Sequence, residues 1–300
     1  MGGRYVVLSG GLGGSRFVDS LARAAGPGEV VAIVNVGDDL ELHGLYVSPD
    51  LDTVLYTLGG LLDEDRGWGV RDETYRAREM AGALGAETWF TLGDRDIGLH
   101  LARTERLRRG ERLSDVAASF AEALGVGVRI LPVTDDPVRT KVSTAAGEFD
   151  FQDWFVRRAH ADPVLGLCYD GADEARPAPG VLEAIEAAEI VFVAPSNPFV
   201  SILPILAVPG LRESLAPKRV VALSPLVGGR AVRGPLAGML TSLGHDPSAE
   251  GVRALYGDLV STFVVDPADA GTPDAVVCPI VMVDPERRAD VGRAVLEAVG

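Results

Sequence analysis

The sequence predicts an α/β protein with a Rossmann-like, mostly parallel sheet and helices on both faces. Short β-branched runs such as YVVLS and IVFVA recur and are almost wholly apolar, the pattern of strands buried on both sides. Amphipathic segments separate them, as in βαβ units. The chain's 47% hydrophobic content is enough for a large core.

Strands are expected at 5–9, 30–35, 126–132, 164–169, 190–194, 219–224, 262–265 and 276–281, and amphipathic helices at 17–25, 115–124, 181–188 and 289–299. Residues 61–124 read as mainly helical, an insertion or cap beside the sheet, and 141–155 reads as a hairpin turning at Ala146 and Gly147. No repeat or linker divides the chain, so 1–300 is expected to be a single α/β domain.

The 28 basic and 43 acidic residues give a formal charge of −15. That field disfavours nucleic acid and anionic membrane as partners, so a bound phosphate needs local amides, a metal or placed arginines. The two cysteines, Cys168 and Cys278, form no CxxC pair, and neither a disulfide framework nor a cysteine-ligated zinc is expected. No apolar run spans a bilayer and the N-terminus lacks a signal-peptide pattern; a soluble cytoplasmic protein is expected.

VVLSGGLGGSRF (6–17) reads as strand, glycine loop and helix. Glycines let backbone approach a ligand, and the helix start offers free N–H groups. The dinucleotide fingerprint fails because Arg16 stands where its third glycine belongs, and no GK[ST] follows for a triphosphate loop. A phosphate or substrate loop of neither common type is the expectation.

NVGDDLELHGLYVSPDLDT (35–53) gathers Asp38, Asp39, His43, Asp50 and Asp52. Ser48, Pro49, Asp50 and Asp52 suit a helix start without any ligand. Asp38 and Asp39 are not explained that way, and such carboxylates near phosphate-binding amides also suit magnesium. The residues leave capping and metal binding open. TLGDRDIGLH (91–100) packs Asp94, Arg95 and Asp96 into a turn, with His100 expected to face solvent. APSNPFVSILPIL (194–206) and SPLVGGRAVRGP (224–235, with Arg230 and Arg233) are polar strand exits that would extend one cleft for a phosphorylated substrate.

These stretches, with SGGLGGSRF (9–17), SPDLDTVLYTLGG (48–60), WGVRDET (68–74) and LGDRDI (92–97), run through most of the chain. Together they resemble the 2-phospho-L-lactate transferase family of coenzyme F(420) biosynthesis, in its actinobacterial-type branch. The resemblance implies magnesium-dependent transfer of a phosphorylated three-carbon acid, phospholactate or phosphoenolpyruvate. It moves from a guanosine diphosphate conjugate to the hydroxyl of the deazaflavin Fo, and GMP leaves. It further implies Asp50 and Asp52 as catalytic and metal-holding, with Asp38 and Asp39 as competing metal ligands. Gly10, Gly11, Gly13, Gly14, His43, Asp50, Thr91 and Asp94 would face the deazaflavin. Ser196, Asn197, Pro198, Gly228, Arg230 and Gly234 would face the guanosine diphosphate. A homodimer is implied. The rival readings are a non-catalytic nucleotide-sugar-binding regulator of the gluconeogenesis-factor type and a nicotinamide oxidoreductase.

Overall fold

The computed structural model describes residues 3–232 and 234–300; Arg233 lies outside the described residues. Seven strands form the main sheet: β1 (Tyr5–Ser9), β2 (Val30–Val34), β3 (Arg129–Pro132), β4 (Ile190–Val193), β5 (Val220–Leu223), β6 (Thr262–Val265) and β7 (Ala275–Val277). Their order is β7-β6-β5-β4-β1-β2-β3, and every neighbouring pair is parallel. The all-apolar runs are the central strands. Every residue of β1, β2, β4 and β5 is buried, as a sheet covered on both faces requires.

Two expected strands differ. Residues 164–169 do not join the parallel sheet; Gly166–Asp170 pairs antiparallel with Arg139–Thr144, whose other edge pairs with Gly147–Asp150. The alternating burial of Arg139–Thr144 is the mark of a one-sided sheet. The expected 276–281 strand ends at Val277, just before Pro279, which has no N–H for a ladder.

Helix α1 (Gly11–Ala25) follows β1 directly. It packs against α2 (Pro49–Leu58) and the C-terminal helix Arg288–Val299. A Cβ on Gly292 of that helix would stand 2.1 Å from the Ser20 carbonyl, so only glycine permits the approach. Arg16, which breaks the dinucleotide fingerprint, is buried and donates to Glu64 at 2.9 Å. Glu64 also receives Arg288 at 2.7 Å, and Arg288 reaches Asp19 of α1 at 3.1 Å. An ion network of two buried arginines, buried Asp19 and half-buried Glu64 therefore fixes the helix that carries the glycine loop.

Between β2 and β3 lie α3 (Arg76–Ala83), α4 (Asp94–Arg108) and α5 (Leu113–Ala123). Helix α5 packs on β3, while Leu42, Val47 and Leu92 form a small apolar cluster with Trp89, Phe90 and Ile97. Among the described residues, no helix is long and apolar enough to cross a membrane.

Candidate functional site

The strand order reverses between β1 and β4. The carboxyl ends of those strands open the crevice where doubly wound sheets bind ligands. The loop after β1 and the loop after β4 meet there. Ser196 Oγ donates to the Gly10 carbonyl at 2.7 Å. A Cβ on Gly13 would lie 2.4 Å from the Pro195 carbonyl oxygen, and one on Gly14 would lie 2.5 Å from Ser9 Oγ. Ser9 Oγ is itself buried without a hydrogen-bond partner among the described residues. The glycines are thus needed for close packing of two loops.

Asp50 is brought to this point by α2. Its Oδ1 accepts the Gly11 amide at 2.7 Å and its Oδ2 accepts Asn35 Nδ2 at 2.8 Å. The Gly11 N–H belongs to the start of α1, where the helix dipole favours an anion. The same Asn35 amide lies 3.5 Å from Asp38 Oδ1 and 3.0 Å from the Val200 carbonyl. One asparagine therefore joins Asp38 and Asp50 across the end of β2. Burial pushes the Asp50 carboxyl up to about 6, against the hydrogen bonds of Asn35 and Gly11. Burial, then the charges of Asp50 and Asp39, push Asp38 well above the carboxylate range.

The other two carboxylates of the acidic stretch have different partners. Asp39 accepts Ser48 Oγ at 2.6 Å and the Tyr46 hydroxyl at 2.7 Å, and burial raises it to about 7. Ser48, expected to cap α2, makes no cap hydrogen bond because its hydroxyl is turned to Asp39. Asp52 is held by Arg103 of α4 through both guanidinium Nη atoms. His100, expected to face solvent, is 2% exposed with Nδ1 3.7 Å from Asp52 Oδ2.

Asp38 and Asp50 are the pair whose residues fit a divalent cation. Asp38 is 6% exposed, yet among the described residues one long hydrogen bond alone reaches it, so a buried carboxylate has little to balance its charge. No group of three His, Cys, Asp or Glu residues among the described residues is arranged to hold a metal. Two carboxylates suit an ion that keeps water and phosphate oxygens, as magnesium does.

The 2-phospho-L-lactate transferase CofD family model matches residues 5–296. The chain belongs to this family. It is 45% identical over 312 residues to a phosphoenolpyruvate transferase of Thermobifida fusca, covering 98% of this chain and 97% of the relative. A protein of the same name from Kitasatospora aureofaciens is 44% identical over 98% of this chain and 97% of its own. One from Mycolicibacterium smegmatis is 39% identical over 99% of both. A crystal structure of a UPF0052-family protein from Bacillus halodurans shares the fold. Its TM-score is 0.58 at 17% identity, over 89% of this chain and 81% of that one.

Other motifs of this CofD-family chain have structural partners of their own. Glu73 of WGVRDET accepts the amides of Arg95 at 2.9 Å and Asp96 at 3.3 Å, which start α4. Asp94 in return accepts Thr74 Oγ1 and the amides of Arg76 and Ala77, which start α3. The two acidic side chains reciprocally cap two helices. Glu73→Ala is expected to cost about 1 kcal/mol of stability, the worth of a helix cap, read from the urea midpoint.

His43 and Gly44 both have positive φ and form the turn of the hairpin joining Leu40–Leu42 to Leu45–Val47. His43 Nε2 lies 2.9 Å from the Glu87 carbonyl. Thr91 is half-buried in the segment before α4. Gly228 and Gly229 turn a second hairpin, and their amides donate to Asp269 at 2.7 and 2.8 Å. Arg230, on the second strand of that hairpin, and Gly234 beyond it are exposed. Asn197 Oδ1 accepts the Phe199 amide at 3.1 Å, so it caps the helical turn Pro198–Ile202.

The structure thus gathers Gly10, Gly11, Gly13, Gly14, Asp38, Asp50 and Ser196 at the switch point. His43, Asp94 and Gly228 have their contacts elsewhere. Sequence reasoning missed Asn35 and Arg103, and also Ser201, whose Cβ would stand 2.6 Å from a Gly10 Cβ.

Burial lowers the His100 pKa to about 4, with Asp52 pulling it up and Arg103 pushing it down. The unfolded chain takes up this proton near pH 6.5 and the folded chain near 4, so stability from His100 is lost as pH falls between them. Relative to His100→Gln, the parent chain is expected to lose roughly 2–3 kcal/mol between pH 7 and 4.5. Paired urea titrations at several pH values check this.

Proposed function

We propose that this chain transfers phosphoenolpyruvate from its guanosine diphosphate conjugate to the side-chain hydroxyl of Fo. GMP is released and a dehydro form of coenzyme F(420) precursor is made. The reading is supported by near-full-length similarity to proteins named phosphoenolpyruvate transferase. On the structural side, one observation carries it: a helix-start amide and a buried asparagine hold Asp50 beside Asp38 at the switch point.

The hydroxyl oxygen of the acceptor attacks the phosphorus that bears the three-carbon acid. The new O–P bond forms as the P–O bond to GMP breaks. Such chemistry needs alignment and charge neutralisation more than covalent help. Asp38 and Asp50 would hold magnesium directly or through water; when bound, that ion neutralises diphosphate charge. One carboxylate of this pair would take the acceptor proton, placed by its hydrogen bonds to Gly11 and Asn35. Asp52 acts beside it through its pairing with Arg103, and Asp39 lies in the same acidic stretch.

The glycine loop, with His43, Thr91 and Asp94 further out, is proposed for the deazaflavin side. Ser196, Asn197 and Pro198, with Gly228, Arg230 and Gly234, are proposed for the guanosine diphosphate side. The working form is proposed to be a cytoplasmic homodimer. The regulator alternative is not favoured, because likeness to the UPF0052 structure is 17% in sequence and concerns fold alone.

The test is incubation with Fo, magnesium and each of the phospholactate and phosphoenolpyruvate conjugates, with product mass read out. The phosphoenolpyruvyl adduct is expected to dominate. A dominant phospholactyl adduct would shift the donor assignment, and no adduct with either would overturn the transferase reading.

A further inference from the structure

Buried carboxylates crowd the first turn of α2. Asp38, Asp39, Asp50, Asp52 and Asp96 are each at most 6% exposed. Within this crowd lies the guanidinium of Arg103, 1% exposed, reaching in from α4. It grips both oxygens of Asp52, with Nη1 3.1 Å from Oδ2. Nη1 also lies 3.5 Å from the Tyr46 carbonyl and 3.3 Å from His100 Nδ1. Arg139, half-buried over the Tyr46 ring, is the next cation and acts on Asp39.

Asp52 stands two residues after Asp50 in the first turn of α2, so its carboxylate lies next to the candidate cation pair. Asp52 would add a further negative charge beside Asp50 if Arg103 were not paired with it. Bidentate geometry also fixes where the Asp52 carboxylate stands. A merely mechanical clamp of α4 on α2 would show the same contacts but leave the cation site's charge unimportant.

We propose that Arg103 is a positioning residue that acts through Asp52 as the counter-charge of the cation site, leaving Asp38 and Asp50 alone to meet the metal. The proposal rests on the magnesium reading above. Arg103 thereby limits how tightly the site holds its ion, which must stay exchangeable with water and substrate oxygens. A metal clasped by a third carboxylate would have fewer positions for the diphosphate.

The test is Mn²⁺ binding to the folded chain in the presence of GDP, followed by electron paramagnetic resonance, with Tm measured on the same samples. Arg103→Met is expected to bind Mn²⁺ about tenfold more tightly, and Asp52→Asn about tenfold more weakly, the scale of one nearby charge. The double variant is expected to return to near parent affinity, and Arg103→Lys to stay near it, closing a mutant cycle. A lower Tm with unchanged Mn²⁺ affinity in Arg103→Met would mean a clamp only and overturns the proposal. Should Arg103→Met fail to fold, unchanged affinity in Asp52→Asn overturns it equally. A parent chain that binds no Mn²⁺ overturns the magnesium reading and this proposal together. Binding that Asp38→Asn abolishes and the Arg103 and Asp52 variants leave unaltered overturns this proposal alone.

Discussion

Asp50→Asn, folded and at saturating magnesium, is expected to turn over roughly 10²- to 10⁴-fold more slowly than the parent chain, the range for loss of a positioned acid–base group. Asp50 accepts the Gly11 amide with one oxygen and Asn35 with the other. An asparagine cannot accept at both ends, so its NH₂ must confront one of these donors. The variant also loses the charge that answers the start of α1. Asp38→Asn separates charge from geometry. It has one long contact to lose and sits where burial opposes ionisation. Its Tm is expected to rise while turnover falls by a similar factor, the trade-off of a site held against its own stability. Thermal melts and steady-state rates on the same preparations check both. Near-parent turnover in both variants would remove the carboxylate pair from the chemistry.

Gly13→Ala is the second large effect. Its Cβ would stand 2.4 Å from the Pro195 carbonyl oxygen, a backbone atom with no rotamer to yield. The loop after β1 must then move away from the loop after β4, widening the switch point. The cost is expected to be about 1–3 kcal/mol, as for other overpacking. Turnover is expected to fall about 10²-fold, the price of a roughly 1 Å misplacement. Gly28→Ala is the control: no atom of the described residues lies within 4 Å of its Cβ and its backbone needs no positive φ, so both stability and rate should stay near parent values. Urea titration and single-turnover kinetics read the two effects separately.

Much of this fold was legible because two-sided burial writes itself into strand composition. VVL, VVAIV and IVFV are apolar without alternation, and each lies in a central strand. The 164–169 run misled because it is short and apolar enough for either kind of sheet, and its partner Arg139–Thr144 is set by tertiary pairing. At the site, the glycine loop and the carboxylates were visible, but their division of labour was not. Asp38 and Asp39 are neighbours in sequence, yet one meets Asn35 and the other meets Ser48 and Tyr46. Backbone direction at the end of β2 decides that, and residue types do not encode it. Arg103 was equally hidden, since Arg106, Arg108 and Arg109 follow it on the same segment. Only the packing of α4 on the hairpin Leu40–Val47 singles out the one that is buried.

Capping and chemistry are less entangled in the acidic stretch than residue types suggest. Asp50 receives an amide from α1, not from its own helix, and Ser48 makes no cap. Stability changes at Asp50 therefore report on the contact between two helices at the crevice.

The most direct measurement is the ratio of GMP released to Fo adduct formed, followed by mass spectrometry with the phosphoenolpyruvate conjugate as donor. One GMP per adduct, with both lost in Asp50→Asn, is the predicted result. GMP released without adduct, or donor bound with neither product formed, would contradict transfer at this crevice.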